Sequence, residues 1–395
     1  MKEYSFTLEV ITPLFMGGAD ARRNPELRPP SLRGGLRYWY RALLGGTGAG
    51  ANLETEEADL FGSPKKGSQT SIMIRSSGIP NIATFKKDRA IRTRSGDFLP
   101  TGKDYLLWSM AESGRRGTSK YLPAREYIEP GTKYSLRLRS RISEVPLKKT
   151  VAALWLLGNL GALGSRARRG AGSIELIRTE PRENHPIPFR TCQSVDDLKV
   201  YLEQGLQNCK DAISGTGFAW TSFTGSLPEY SILSPTTTSI WIVADNPAGW
   251  SSEMDALQGL GARFRDFRTH LNPTGIGKAD HDAVYDWLAK GGPVPNIQRA
   301  VFGLPIPFRY EGAPGDVIIS TIGDRRASPL HIRVTRLNTG NFIGVMTLFK
   351  SSFLDGAGKA KIKLQTRGWR SPAPPNYGVI RNFVSTFPIH EGVPL

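Results

Sequence analysis

Tyr4, Phe6, Leu8 and Val10 fall on one side of YSFTLEVI at the start of the chain, the period of two that a half-buried strand requires. Pro13 and the Gly17-Gly18 pair end that pattern, and a proline-rich loop carrying Arg22, Arg23 and Arg28 leads to Ser31, a suitable helix N-cap. From there to about Leu44 the spacing changes: Leu32, Leu36, Trp39 and Leu43 recur at four, three and four, which predicts an amphipathic helix with that stripe inward. Residues 45–130 read as an insertion, glycine-rich and acidic at first and basic later, in which GSQTSIMIRS at 67–76 is the best candidate for a further strand.

KYSLRLRSRI at 133–142 alternates again, with Tyr134, Leu136 and Leu138 inward and Lys133, Arg137, Arg139 and Arg141 largely on the other face. Pro146 opens a helix, TVAALWLLGNLGALG, that is apolar nearly all round, as a helix buried on two sides must be, yet too short to span a membrane. A glycine-punctuated loop at 161–172 and a strand from about Ser173 to Ile177 follow, so the order is compatible with βαββαβ. The second half repeats the theme less clearly. SIWIVAD (239–245) reads as a strand, residues 252–271 as a helix, and PLHIRVTRL and FIGVMTLF as later strands. A length of 395 residues favours two domains, 1–185 and 186–395, with the boundary in ENHPIPF.

Charge changes the picture from a fold to a partner. Lys and Arg total 52 against 35 Asp and Glu, a net charge of +17, and residues 1–190 hold 32 and 18 of these, a net +14. Such an excess implies a polyanion. Arginine outnumbers lysine 34 to 18, and its planar fork suits phosphate oxygens and stacks on bases. Arg33, Arg37 and Arg41 form a stripe along the first helix, where a phosphate chain would relieve their repulsion. In the loop, Arg166, Arg168 and Arg169 stand among Gly161, Gly164, Gly170 and Gly172, a pattern in which backbone amides can approach phosphate. The two sets are expected to converge on a single cationic trough. Tyr38, Tyr40, Trp108 and Tyr121 interleave with the charge, as stacking partners for unpaired bases would.

Other chemistry finds little support. No GKS or GKT follows the glycines, the five histidines lack ligand spacing, and the two cysteines, Cys192 and Cys209, form neither a CxxC pair nor a disulfide framework. No metal or cofactor is expected, and the cysteine usage and the absence of a signal-peptide core lead to an expectation of a cytoplasmic protein.

ITPLFMGGADARRNPELRPPSLRGGLRYWYRALLG, LFGS at 60–63, GALGSRARRGAGSI at 161–174, AVFGLPIPF at 300–308 and RRASPLHIRV at 325–334 share the order seen in a known family. Together they resemble the RAMP superfamily, in the form of the first subunit of the Cmr effector of type III-B CRISPR systems. The resemblance implies an α+β chain of two ferredoxin-like, RRM-related domains with long insertions. It also implies a place near the guide-RNA 3′ end of a ribonucleoprotein, with guide RNA, target RNA and other Cmr RAMP subunits as partners and target cutting left to a neighbouring subunit. Carried onto this sequence, Arg33, Gly34, Arg37 and Arg41 match the motif helix and Arg166, Arg168, Arg169 and Gly170 the loop. Arg325 and Arg326 form a weaker third cluster, and Arg22 and Arg23 complete the RNA-binding set.

Two other readings stand beside it. A metal-independent RAMP endoribonuclease that processes guide RNA would need His281 or His270 brought to the glycine loop as general acid or base; the mid-chain position of the loop speaks against this. Asp20, in GGADARRN, is read as an ordinary turn residue and not a catalytic aspartate. A purely structural subunit would spend its arginines on acidic neighbours.

Overall fold

The computed structural model describes residues 2–48, 52–93, 96–180, 187–214, 219–292, 295–308, 310, 317–319, 325–352, 362–364, 368–370 and 376–395. The expected boundary near residue 185 lies outside them.

The first large sheet is built from β1 (Lys2–Val10), β2 (Thr70–Ser76), β3 (Lys133–Ser140) and β4 (Ile174–Glu180), in the order β2-β3-β1-β4 with every pair antiparallel. β2 is the strand expected inside the insertion. Helix α1 (Pro29–Gly46) follows β1, and a short α2 (Leu53–Phe61) precedes β2. α1 begins at Pro29, ahead of Ser31, because prolines lack the amide that the first turn would leave unpaired. Its buried stripe includes Leu32, Leu36, Trp39 and Leu43, as the spacing requires. The insertion continues through α3 (Gly102–Leu107) before β3, and α4 (Val145–Leu160) joins β3 to β4. The element order is thus βαββαβ.

After α5 (Val195–Ser214) the same plan recurs. β5 (Thr238–Ala244) leads to α6 (Glu253–Arg268); α7 (Ile276–Lys290) lies in the long connection to β6 (Leu330–Arg336) and β7 (Phe342–Phe349); α8 (Gly378–Val384) precedes β8 (Ile389–Val393). The strand order is β6-β7-β5-β8, again antiparallel throughout. Strand for strand this is the connectivity of the first unit.

The apolar helix α4 explains how the units stack. It packs on all four strands of its own sheet and, on its other side, on β6 and β7 of the second, with α1 and α5 beside it. Leu154, Trp155, Leu156 and Leu157 are fully buried as a result. On β6, His331 and Arg333 point at the first unit, where they meet Tyr38 and the Ile174 carbonyl. The alternate face of the second sheet is covered by α6, whose Leu260 sits where a Cβ on Gly344 would fall, at 2.8 Å. Strands β6 and β7 of the second sheet are therefore buried on both faces, whereas the edge strand β8 exposes His390, Glu391 and Gly392. The first sheet is buried on one face only, and on its open face Lys133, Ser135 and Arg137 alternate with the core residues Tyr134, Leu136 and Leu138. There Glu3 pairs with Arg137 and Arg139, and Glu9 pairs with Lys133 at 3.6 Å and with Arg336 of β6 at 2.7 Å.

The insertion is fastened to the second unit through backbone contact. A Cβ on Gly102 of α3 would lie 2.0 Å from the Gln258 carbonyl of α6, and one on Gly261 would lie 1.9 Å from the Gly102 carbonyl. Only glycine permits that approach. The Lys103 amide donates to Gln258 Oε1 at 3.1 Å, and Arg265 Nη1 donates to the Pro100 carbonyl at 2.6 Å.

Candidate nucleic-acid interface

The glycine loop does not stand open to solvent. Gly164, Gly170 and Gly172 take positive φ, as does Arg166, and a Cβ on Gly172 would fall 1.9 Å from the Leu163 carbonyl. The folded loop uses its own amides: Ser165 N–H donates to the Phe15 carbonyl, Gly170 N–H to Ile332 and Gly172 N–H to Pro13, at 2.8, 2.9 and 3.0 Å. An amide cradle for phosphate, the expected role, is consequently not on offer there.

Its arginines reach across to the second unit and the insertion. Arg168 Nη1 donates to the Ser328 carbonyl at 2.6 Å, Arg169 Nη2 to the Phe302 carbonyl at 2.9 Å and Arg169 Nη1 to Ser328 Oγ at 3.2 Å. Arg166 Nε donates to the Leu106 carbonyl at 2.7 Å. Aromatic rings complete the sites, with Arg169 4.7 Å from the Phe264 centroid and Arg168 5.6 Å from that of Tyr38. Burial pushes the Arg166 guanidinium down to about 10 and that of Arg169 well below its ordinary value, with Arg268 adding repulsion to both.

On α1 the arginines are shared differently. Arg37 Nη1 and Arg41 Nη1 both donate to Glu57 of α2, at distances of 2.9 to 3.0 Å, while Arg37 Nη2 also reaches the Phe61 carbonyl at 3.2 Å and that of Gly62. Glu57 is nearly buried, whereas the Arg37 and Arg41 side chains each keep about a third of their surface exposed. Arg33 lies one turn earlier, with a buried Nε that has no partner. It lines an open groove of about 550 Å³ together with Arg37, Glu57, Phe61, Ser63 and Lys66. Gly34, on the exposed side of the same helix, would meet nothing within 4 Å if it carried a Cβ.

These contacts join segments far apart in sequence. The carbonyls of LFGS meet Arg37, and those of AVFGLPIPF and RRASPLHIRV meet Arg169 and Arg168. Sequence comparison covers the LFGS segment and the glycine loop. A RAMP superfamily profile matches residues 7–175. The CRISPR system Cmr subunit Cmr1-2 of Pyrococcus furiosus is 35% identical over 182 residues, which are 45% of this chain and 96% of that protein. The chain belongs to the RAMP superfamily. Within it, Cmr1-1 of the same organism is 26% identical over 352 residues, 88% of each protein. The crystal structure of P. furiosus Cmr1 in its apo form shares the fold, with a TM-score of 0.60 at 22% identity over 100% of this chain and 99% of that one.

The remaining candidate residues of this RAMP protein divide between loop and junction. Arg22 Nη1 donates to the Pro123 carbonyl, and Arg23 is exposed. Asp20 accepts the amides of Arg22 and Arg23, which lower its pKa, as a turn aspartate does. Arg325 is exposed, and Arg326 Nη2 donates to Ser351 Oγ at 2.9 Å. Arg168, Arg326 and Arg41 all act electrostatically on Tyr38: burial raises the pKa of its hydroxyl, and these three cations oppose the rise. Of the three, Arg168 lies over the ring itself, while Arg41 is held by Glu57 and Arg326 by Ser351. The expected trough formed by both whole sets does not hold: Arg166 and Arg169 are spent inside the protein.

His270 and His281 do come together, their rings stacked at 4.8 Å, with Tyr310 4.5 Å from His281 on α7. Burial and the neighbouring His281 lower the His270 pKa. His331 is buried against Tyr38, with 3.0 Å between Tyr38 Oη and His331 Nε2. Among the described residues no cluster of three or more His, Cys, Asp or Glu is placed to hold a metal, and no helix is long and apolar enough to cross a membrane. Sequence reasoning missed Glu57, the carboxylate that orders the α1 arginines; its signal was the acidic run ETEEAD set close behind a basic helix.

Proposed function

We propose that this protein is a noncatalytic RNA-binding subunit of a type III-B Cmr ribonucleoprotein, gripping a ribose-phosphate backbone along the exposed side of α1 and at the junction around Tyr38. It works in the cytoplasm with guide RNA, target RNA and other Cmr RAMP subunits, near the guide 3′ end, in antiviral defence. The two βαββαβ units are read as ferredoxin-like, RRM-related domains, 1–185 and 186–395. The Cmr names of its relatives support the assembly. The observation that carries the RNA contact is the row of Arg33, Arg37 and Arg41 along α1, with Arg168 over the ring of Tyr38 on the same helix.

The open face of the first sheet bears Ser5, Thr7 and Ser135 at positions where an RRM-type platform would need aromatic rings, which favours the helix side for RNA. Gly34 favours it too. An exposed mid-helix glycine costs about 0.5–1 kcal/mol relative to alanine, and nothing inside the protein needs the space above it. A nucleic-acid backbone lying directly on the helix does. Arg166, Arg169 and Gly170 serve this reading by fixing the loop that presents Arg168.

Replacing Arg33, Arg41, Arg325 and Arg326 together with alanine should weaken binding of single-stranded RNA and flatten its salt dependence by about 0.7 for each phosphate no longer neutralised. Gly34→Leu should weaken binding while leaving the fold intact. Wild-type affinity and salt slope in the arginine variant would overturn the reading.

A further inference from the structure

Trp108 is 62% exposed, at the end of a segment whose other apolar residues are buried: Leu106 and Leu107 are at 0% and Met110 at 4%. Those three already anchor the segment, and Gly102 locks it to α6, so packing does not require an indole at position 108. The ring is backed from one side. The Arg166 guanidinium lies 5.9 Å from the ring of Trp108 and is held there by the Leu106 carbonyl.

Behind it stands a knot of positive charge. Arg268 is 4.7 Å from the Phe264 centroid, which Arg169 also approaches to 4.7 Å, and the buried Nε of Arg268 has no partner. Arg268 acts on both Arg166 and Arg169 as a like charge, with Tyr105 opposing it. Buried cations of this kind gain from an approaching polyanion.

We propose that Trp108 is a stacking platform for an unpaired base of bound RNA, with Arg166 as the positioning residue behind it. This rests on the RNA-binding reading above and extends the contact to a second point, two residues along the loop from Arg168. A nucleobase satisfies both features at once: its flat face covers the open side of the indole, and its phosphates remain in solvent beside the arginine knot. An apolar plug from a protein would cover the ring and bury the cations further.

The test uses the full chain and fluorescently labelled 12-nucleotide RNAs of adenosine and of uridine. Trp108→Ala should weaken binding about 5- to 150-fold, more for adenosine than for uridine, while the salt slope and the melting temperature stay at wild-type values, because stacking releases no counterions. Trp108→Tyr should recover most of the affinity. Wild-type affinity in Trp108→Ala, alongside weakened binding in the arginine variant of α1 and the Arg326 cluster, would overturn the platform and leave the RNA-binding reading standing. Undiminished binding in both variants would remove that reading itself. Weaker binding in Trp108→Ala accompanied by a lowered melting temperature, and not recovered by tyrosine, would assign the residue to folding and overturn the platform as well.

Discussion

The two large sheets of this protein share one connectivity and differ in what covers them. In the first, β3 reads exposed, buried, exposed, buried, and charged pairs cross the open face from β1. In the second, every residue of β7 after Phe342 is buried. The difference lies in α4, which roofs its own sheet with one side and floors the next with the other. A repeated topology therefore does not produce a repeated surface: β6 and β7 are closed in on both faces, where β3 alternates with water.

Trp155, in the shared helix, gives the largest way to break this arrangement. Trp155→Ala should cost about 3–5 kcal/mol, and because α4 touches both sheets, chemical denaturation followed by two probes should still show one transition. Separate transitions for the two units would break the common-wall account. A matched pair of charges sharpens it: Thr347→Asp, beside His331 on the covered face, should destabilise by about 3 kcal/mol or more, whereas Ser135→Asp on the open face should stay within about 0.5 kcal/mol. Equal costs would mean that the two faces are equally solvated.

Burial and the adjacent Arg168 and Arg169 hold His331 well below the ordinary histidine pKa. The unfolded chain takes up this proton below about pH 6.5 while the folded one resists, so stability should fall with acid from there by up to about 1.4 kcal/mol per pH unit. His331→Gln should flatten that limb; identical acid limbs in the two proteins would count against it. The smallest effect is a gain. Thr347 Oγ1 is buried without a partner, so Thr347→Val should stabilise by about 1 kcal/mol in thermal melts.

The contrast also separates what was legible in the sequence from what was not. Alternation exposes β1 and β3 because one face meets water, and the all-round apolarity of α4 correctly signals burial on both sides. α5 went unread although Ser194 caps it, accepting the Asp197 amide at 3.1 Å, and Leu198, Tyr201, Leu202 and Leu206 mark its buried stripe. The arginines were the hard case. Their charge is plain in the sequence, but Arg166, Arg168 and Arg169 are answered by the carbonyls of Leu106, Ser328 and Phe302, and backbone oxygens leave no compositional trace. An arginine that binds phosphate and one that staples two segments of chain look alike until the chain is folded.

The meeting of Gly102 with Gly261 has a mechanical meaning. Most helix contacts contain rotamers that swing to absorb a shift, but here carbonyl meets Cα directly, and a rivet without slack transmits what it receives. A pull on the segment carrying Trp108 is delivered to the backbone of α6, and through Leu260 to the second sheet.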